Sequence, residues 1–337
     1  MSSPGRPPLS PAAIAKRVAP YAIAILALGY VLHATNIHDL GVALKHAPIG
    51  WFVAVSALML VLNCAADVFA MTSVFGWFGC HVPYRDLFFV RASTYLLAIV
   101  NYHVGQAAIV GYLYRARRVP LLRATGWILF IIGVNVGTLF LLASAGASKA
   151  SGNLAMLRLV PAACAIGVVV YSALLLWKPP ILAKRALFAP LFEMGIVGHI
   201  KGVLVRLPHV GVLMLWHFIS LRMFDIQVTP LAALLYLPAY FAVANLPINV
   251  NGLGAAQLVA VAFFSHFVVV PEGTVDVAAT QRATVMAYSL STSGISIVLQ
   301  LALGFACLRK ATRLGISTHE TEAPVEERVP AVEEAAS

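Results

Sequence analysis

Several runs of apolar residues are long enough to cross a lipid bilayer, and they constrain the fold more than any other feature. The runs at 51–77, 125–147 and 157–177 each exceed the roughly 20 residues that a transmembrane helix needs. Charged residues make up 11% of the chain, whereas soluble domains carry about 25%. Because lipid offers no hydrogen-bond partners to the backbone, such runs must form helices. The sequence therefore predicts an all-α polytopic membrane protein.

Six runs are expected to span the bilayer fully, and two further segments are expected to enter and return as helical hairpins. The full spans are predicted at 19–34, 51–77, 125–147, 157–177, 209–223 and 284–308. The first hairpin covers 86–114, and the second pairs 230–246 with 255–270. Residues 178–206 mix basic and apolar positions, which favours an amphipathic helix lying in the membrane interface.

The distribution of basic residues fixes this topology, because Lys and Arg accumulate on the cytoplasmic side. Residues 1–18 carry Arg6, Lys16 and Arg17 and are expected in the cytoplasm. If 86–114 crossed once, the basic cluster at 115–123 would lie outside. A hairpin keeps that cluster inside, and the same reasoning turns the second segment into a hairpin entering from the opposite face. The prediction is an inverted repeat with halves at 19–177 and 178–308, located in a bacterial inner membrane.

An acidic tail is expected to follow the transmembrane domain, which covers 19–308. Residues 309–337 begin basic and then become rich in Glu, Pro and Ala, a composition typical of disorder. With an inward-running last span, both termini are expected in the cytoplasm.

The stretch at 246–259 interrupts its helix at membrane depth. Pro247 ends the incoming helix, and Asn251, Gly252 and Gly254 favour a tight turn before a new helix that carries Gln257. The amino end of a helix presents free amide groups, which suit a phosphate or a carboxylate. The alternative interpretation is an ordinary loop between two spans.

The first hairpin holds a similar sequence and several polar candidates for a midplane site. Gly105 and Gln106 match the glycines and Gln257 of the second stretch, and Asp67, Arg91 and His103 are polar at membrane depth. Intramembrane ionisable groups usually line a pathway or pair with one another. Asp67 could instead form a structural pair with Arg91 or His103, or be protonated beside Asn63. Arg91 could equally reach the interface, and His103 could be a hydrogen-bonded interior residue.

These motifs resemble the lysylphosphatidylglycerol-synthase transmembrane-region family, also called flippase-like integral membrane proteins. The resemblance rests on Leu246-Pro247-Ile248 with Gly252-Leu253-Gly254-Ala255-Ala256-Gln257, and on Gly105-Gln106 followed by Arg115. It implies movement of an anionic lipid between leaflets, either an aminoacylated phospholipid or a polyprenyl-phosphate-linked sugar. Both acidic positions of the family pattern are glutamines here, Gln106 and Gln257. A glutamine keeps hydrogen bonding but holds no charge.

Functions based on a metal or cofactor find no support in the sequence. The four cysteines are scattered, and the ten histidines form no metal-binding arrangement. No nucleophile motif is present, so transport is favoured over catalysis, with an anionic lipid and the membrane as partners. The alternatives are a membrane transferase or phosphatase acting on a lipid carrier, and a structural subunit of a membrane complex. The substrate, the direction, the energy source and the oligomeric state stay open.

Overall fold

The structure is a computed structural model that describes residues 48–99, 102–147, 158–244 and 255–316. The described residues form ten α-helices and no sheet, which confirms the all-α prediction. In chain order the helices are α1 (Ile49–Trp77), α2 (Tyr84–Ala98), α3 (Tyr102–Arg117), α4 (Leu121–Ala147), α5 (Val160–Trp177), α6 (Pro180–Ala183), α7 (Ala189–Met223), α8 (Pro230–Ala244), α9 (Ala255–Phe264) and α10 (Val277–Ile316).

Five of these helices are long and apolar enough to cross a membrane: α1, α4, α5, α7 and α10. They confirm that the chain is an integral membrane protein. The predicted span at 19–34 lies outside the described residues, as do the stretch at 245–254 and the tail from 317.

The helix α7 differs from the sequence prediction. The interfacial helix expected at 178–206 and the span expected at 209–223 are largely one helix of 35 residues. Gly195, with φ of 55°, bends α7 near its start, and Pro208 lies inside the helix. Neighbouring helices can satisfy the backbone carbonyl that a proline leaves unpaired, so membrane helices tolerate such prolines. The prediction of a break near residue 207 was wrong for this reason.

The helices α2 and α3 form an antiparallel pair. Near the open end of the pair, Arg117 Nη2 lies 3.9 Å from Asp86 Oδ2. At the other end, a Cβ added to Gly105 would lie 2.9 Å from the Cβ of Ala98 and 3.2 Å from the carbonyl oxygen of Thr94. The absence of a side chain at Gly105 is what lets the two helices meet so closely.

The helices α8 and α9 form a second antiparallel pair. The segment before α8 and the segment after α9 are joined by two backbone hydrogen bonds. The amide of Gln227 donates to the carbonyl of Phe267 at 2.8 Å, and the amide of Val269 donates to the carbonyl of Asp225 at 3.2 Å. At 15 and 10 residues, both helices fall short of the roughly 20 residues that a span requires.

Two contacts bring basic segments to one end of the helical bundle. Arg123 at the start of α4 pairs with Glu193 at the start of α7, with an N–O distance of 3.1 Å. Near the end of α10, the Lys310 ammonium lies 4.1 Å from the ring centroid of Phe89 in α2. The open end of the α2–α3 pair, where Arg117 approaches Asp86, therefore lies close to the start of α7 and the end of α10.

Two hydrophobic clusters divide the core. The first draws mainly on α1, α2, α3 and α4, and the second mainly on the end of α7 with α8, α9 and α10. The helices also exchange contacts between the halves, because α2 packs along α10 and α8 packs along α4. The long helices α1 and α7 pack against each other.

Candidate functional site

A buried carboxylate lies between two buried guanidinium groups. Arg91 Nε donates to Asp67 Oδ2 at 2.5 Å, and Arg206 Nη1 donates to Asp67 Oδ1. Asp67, Arg91 and Arg206 expose 1%, 6% and 3% of their surfaces. They are the buried charged side chains of the described part of the chain. We call this group the ion cluster.

Three helices bring the ion cluster together. Asp67 lies in α1, Arg91 in the middle of α2, and Arg206 halfway along α7. Each helix is apolar over most of its length and buries the charged residue on its inward face, away from lipid. The cluster therefore links the first half of the chain, through α1 and α2, to the second half, through α7.

Both arginines are held by further hydrogen bonds. Arg206 Nε donates to Asn135 Oδ1 at 3.1 Å, and Arg91 Nη1 donates to Thr94 Oγ1 at 3.1 Å. The guanidinium of Arg91 also lies 4.8 Å from the ring centroid of Tyr95, a distance typical of a cation–π contact. These bonds fix the direction in which each planar donor group points.

The ion cluster carries an excess of positive charge. Two guanidinium groups share one carboxylate, and within the described ranges no other acid pairs with Arg91 or Arg206. An uncompensated charge is expensive to bury, and in membrane proteins such a charge usually marks a substrate or ion pathway. A guanidinium has five donors and binds phosphate or carboxylate with two of them, so the chemistry of the excess charge is that of an anion site.

Other polar groups lie beside the ion cluster. His209 Nδ1 lies 3.3 Å from the carbonyl oxygen of Asn63, which is one turn before Asp67 in α1. Gln106 is 4% exposed, and its Oε1 atom makes no hydrogen bond in the part of the chain described. A buried amide oxygen without a donor is a costly arrangement that a hydroxyl or ammonium group of a ligand would relieve.

The structure unites some of the predicted site residues and separates others. Asp67 and Arg91 form the ion pair that the sequence left as one alternative, and Gln106 is buried in the adjacent hairpin helix. His103 is exposed, and Asp67 pairs with arginines and not with it. Gln257 is buried in the second half. Asn251, Gly252 and Gly254 lie outside the described residues.

Arg206 is the residue that the sequence reasoning missed. The sequence predicts that it lies in an interfacial helix together with Lys201, yet the structure exposes Lys201 and buries Arg206. The available signal was local, since Arg206 is flanked by the apolar residues Val205 and Leu207 within an apolar run. An arginine in such a setting needs an acid, and Asp67 is the buried acid of the described residues.

Comparison with known proteins adds no identity to this geometry. No family model matches the chain, and neither the curated proteins nor the solved structures contain a significant match.

Proposed function

We propose that this protein moves an anionic lipid, or a lipid-linked anionic intermediate, between the leaflets of the membrane. The excess positive charge of the ion cluster carries the proposal. The phosphate of the substrate would bind at Arg91 and Arg206, and Asp67 would hold the two arginines in place when the phosphate is absent. This function agrees with the flippase-like resemblance seen in the sequence.

The order of helices supports an inverted repeat, which is the architecture of many transporters. The helices α1, α2, α3 and α4 run long, short, short and long, and α7, α8, α9 and α10 repeat that order. Between the starts of α1 and α7 the chain passes α1, α4 and α5 as candidate spans. The α2–α3 pair crosses the membrane either not at all or twice, so the number of crossings between the starts of α1 and α7 stays odd. The second half is therefore inverted relative to the first.

The contacts between the halves follow the same relation. If α1–α4 are matched in order with α7–α10, then α2 corresponds to α8 and α4 corresponds to α10. The packing of α2 against α10 then corresponds to the packing of α8 against α4, and both are extensive. Because α1 corresponds to α7 in this matching, the contact between α1 and α7 joins two equivalent helices. In this proposal the α2–α3 and α8–α9 pairs are re-entrant hairpins that open toward opposite faces of the membrane, and alternating exposure of the ion cluster arises from one half moving against the other.

Transport in reconstituted vesicles tests this proposal. The probe is fluorescent phosphatidylglycerol, whose leaflet distribution is followed by chemical quenching of the outer leaflet. Fluorescent phosphatidylcholine, which has no net charge, is the control lipid. We expect the protein to speed the exchange of phosphatidylglycerol at least tenfold more than that of phosphatidylcholine.

The variant Arg206→Gln separates transport from folding. It removes the excess charge and leaves Asp67 paired one to one with Arg91, and thermal unfolding of the purified variant checks that the fold is retained. We expect phosphatidylglycerol exchange to fall at least tenfold. Arg123→Gln is the matched control, because Arg123 is 46% exposed in its side chain and pairs only at the surface. Equal exchange by Arg206→Gln and the unmodified protein would refute the proposal, and chemical turnover of a lipid without exchange would favour an enzyme.

A further inference from the structure

One end of the helical bundle carries a concentration of exposed positive charge. It is the end where Arg123 pairs with Glu193 and where Lys310 lies over the ring of Phe89. The segment before α7 packs against the start of α4 there, because a Cβ added to Gly126 would lie 2.5 Å from the carbonyl oxygen of Leu187. We call the exposed basic side chains of this end the basic face: Arg85, Arg115, Arg118, Lys184, Arg185, Arg309 and Arg313.

The acids at this end are already paired with other arginines. Asp86 Oδ2 lies 3.9 Å from Arg117 Nη2, and Glu193 Oε2 lies 3.1 Å from Arg123 Nη2. Three further exposed acids of the described residues lie at the opposite ends of α7 and α10: Asp225, Glu272 and Asp276. Within the described residues, no acid forms an ion pair with a member of the basic face. A surface with so many charges of one sign attracts a partner that carries several negative charges.

The chain continues from this face into its most acidic segment. The helix α10 ends at Ile316, and its exposed residues Arg309 and Arg313 are four residues apart, so they lie on the same side of the helix. Residues 317–337, which we call the acidic segment, hold one arginine and six glutamates: Glu320, Glu322, Glu326, Glu327, Glu333 and Glu334. Four residues of extended chain cover about 13 Å, and packed helices lie about 10 Å apart. Even the first of these glutamates can therefore reach a helix beside α10.

From this arrangement we infer that the acidic segment binds the basic face of its own chain. The inference is independent of the transport function proposed above, because it involves neither the ion cluster nor a substrate. The signs of the two charges are complementary, and the acidic segment starts where α10 leaves the basic face. Single exposed ion pairs are weak, but the glutamates of one connected segment act together.

Anionic lipid headgroups are the competing partner for such a face, since they attract basic residues at a membrane surface. The acidic segment has the advantage of its covalent connection to α10, which gives it a high effective concentration at the basic face. Contacts between exposed charges are screened within about 8 Å at physiological salt. Binding of the acidic segment should therefore weaken as salt is added.

Cross-linking of the full-length protein in phosphatidylcholine nanodiscs tests the inference. A water-soluble carbodiimide joins a carboxylate to an amine, and Lys184 supplies the amine of the basic face. Mass spectrometry then measures the yield of Lys184 linked to glutamates of the acidic segment. We expect these links at low salt, and a yield at least about fivefold lower at about 1 M salt, where the Debye length falls to about 3 Å.

The double variant Arg185→Gln with Arg313→Gln distinguishes recognition of charge from simple proximity. It removes two charges of the basic face and leaves Lys184 and the acidic segment unchanged, so we expect the yield to fall at least threefold. Arg282→Gln is the control, because Arg282 is exposed near the start of α10, at the opposite end of that helix. Its yield should equal that of the unmodified protein. Thermal unfolding checks the fold of both variants, and the salt series on the unmodified protein depends on neither.

Three outcomes would overturn the inference. If Lys184 forms no link to the acidic segment at low salt, the segment does not bind the basic face. If links form but neither salt nor the double variant lowers their yield, the connection to α10 brings the groups together without recognition of charge. If links are absent while phosphatidylglycerol binding depends on Arg185 and Arg313, the basic face binds the membrane surface instead.

Discussion

The helices α1–α4 and the helices α7–α10 follow the same order of lengths, yet they bury different chemistry. The first set contributes Asp67 and Arg91 to the core, and α7 supplies Arg206 as their partner from the other half. The core of the second set holds interlocking rings, among them Phe224, Tyr240 and Tyr288. Ion pairs demand a partner of opposite charge at a fixed place, whereas rings and hydroxyls tolerate local rearrangement. We therefore expect the first core to depend on single residues far more than the second.

The largest effect is expected from removing the carboxylate of the ion cluster. Asp67→Ala leaves two guanidinium groups buried without an acid, and breaking a buried ion pair in this way costs about 3–5 kcal/mol. We expect a large loss of thermal stability in detergent or a failure to accumulate in the membrane. Asp86→Asn is the control, because its partner Arg117 is 3.9 Å away and both side chains are 26% exposed. An Asp67→Ala protein as stable as this control would show that the arginines find other anions.

A smaller loss is expected where α2 and α3 meet. In Gly105→Ala the new Cβ would lie 2.9 Å from the Cβ of Ala98 and must push the helices apart. Overpacking of this kind costs about 1–3 kcal/mol. Gly111→Ala in the same helix is the matched control, since nothing lies within 4 Å of its added Cβ. That variant should be neutral or up to about 1 kcal/mol more stable, because alanine favours a helix. Thermal unfolding measures both.

In the second half, removal of a hydroxyl should cost little. Tyr288→Phe deletes a buried oxygen that has no hydrogen-bond partner among the described residues. We expect thermal stability to stay the same or to rise slightly, since an unsatisfied buried polar group is unfavourable. A drop of more than about 2 kcal/mol would mean that the hydroxyl is hydrogen-bonded in the membrane and would contradict the contrast between the two cores.

The smallest effect concerns the loop between α1 and α2. Burial raises the pKa of the Cys80 thiol, and Arg117 partly offsets the shift. Because the thiolate is the reactive form, its population at pH 7 falls below that of a free cysteine. Maleimide labelling of Cys80, with the other cysteines replaced, should therefore be slow at pH 7 and should accelerate as the pH rises. The control is the double variant Cys80→Ser with His81→Cys, which moves the cysteine to the exposed neighbouring position. This control should react several times faster at pH 7. Equal rates would contradict the burial of Cys80.

The sequence predicted the parts of the fold that depend on local hydrophobicity. The runs at 51–77, 125–147 and 157–177 correspond to α1, α4 and α5 within a few residues, because apolar length alone determines such helices. The continuity of α7 could not be predicted in the same way. Lys201 and Arg206 look alike in a sequence, but only the packing of α7 determines which of them faces lipid or water and which faces the core.

The candidate site was predicted in part for a related reason. Asp67 and Arg91 are conspicuous because charges are rare in apolar segments. The bond between Asp67 and Arg206 joins residues 139 positions apart, and no local pattern links them. A sequence read one span at a time identifies the charged residues. The excess of positive charge appears only when α1, α2 and α7 pack together and two arginines share one carboxylate.

The helix α10 has a mechanical consequence. It is 40 residues long and contains no proline, and it packs against both α2 and α9. At Gly304 it touches α2 so closely that an added Cβ would lie 2.7 Å from Cγ of Leu96. A straight helix of this length is about 60 Å long, roughly twice the hydrocarbon thickness. The helix α10 thus contacts both short helix pairs, α2–α3 and α8–α9. A tilt of either pair that moves α10 therefore also displaces the other pair.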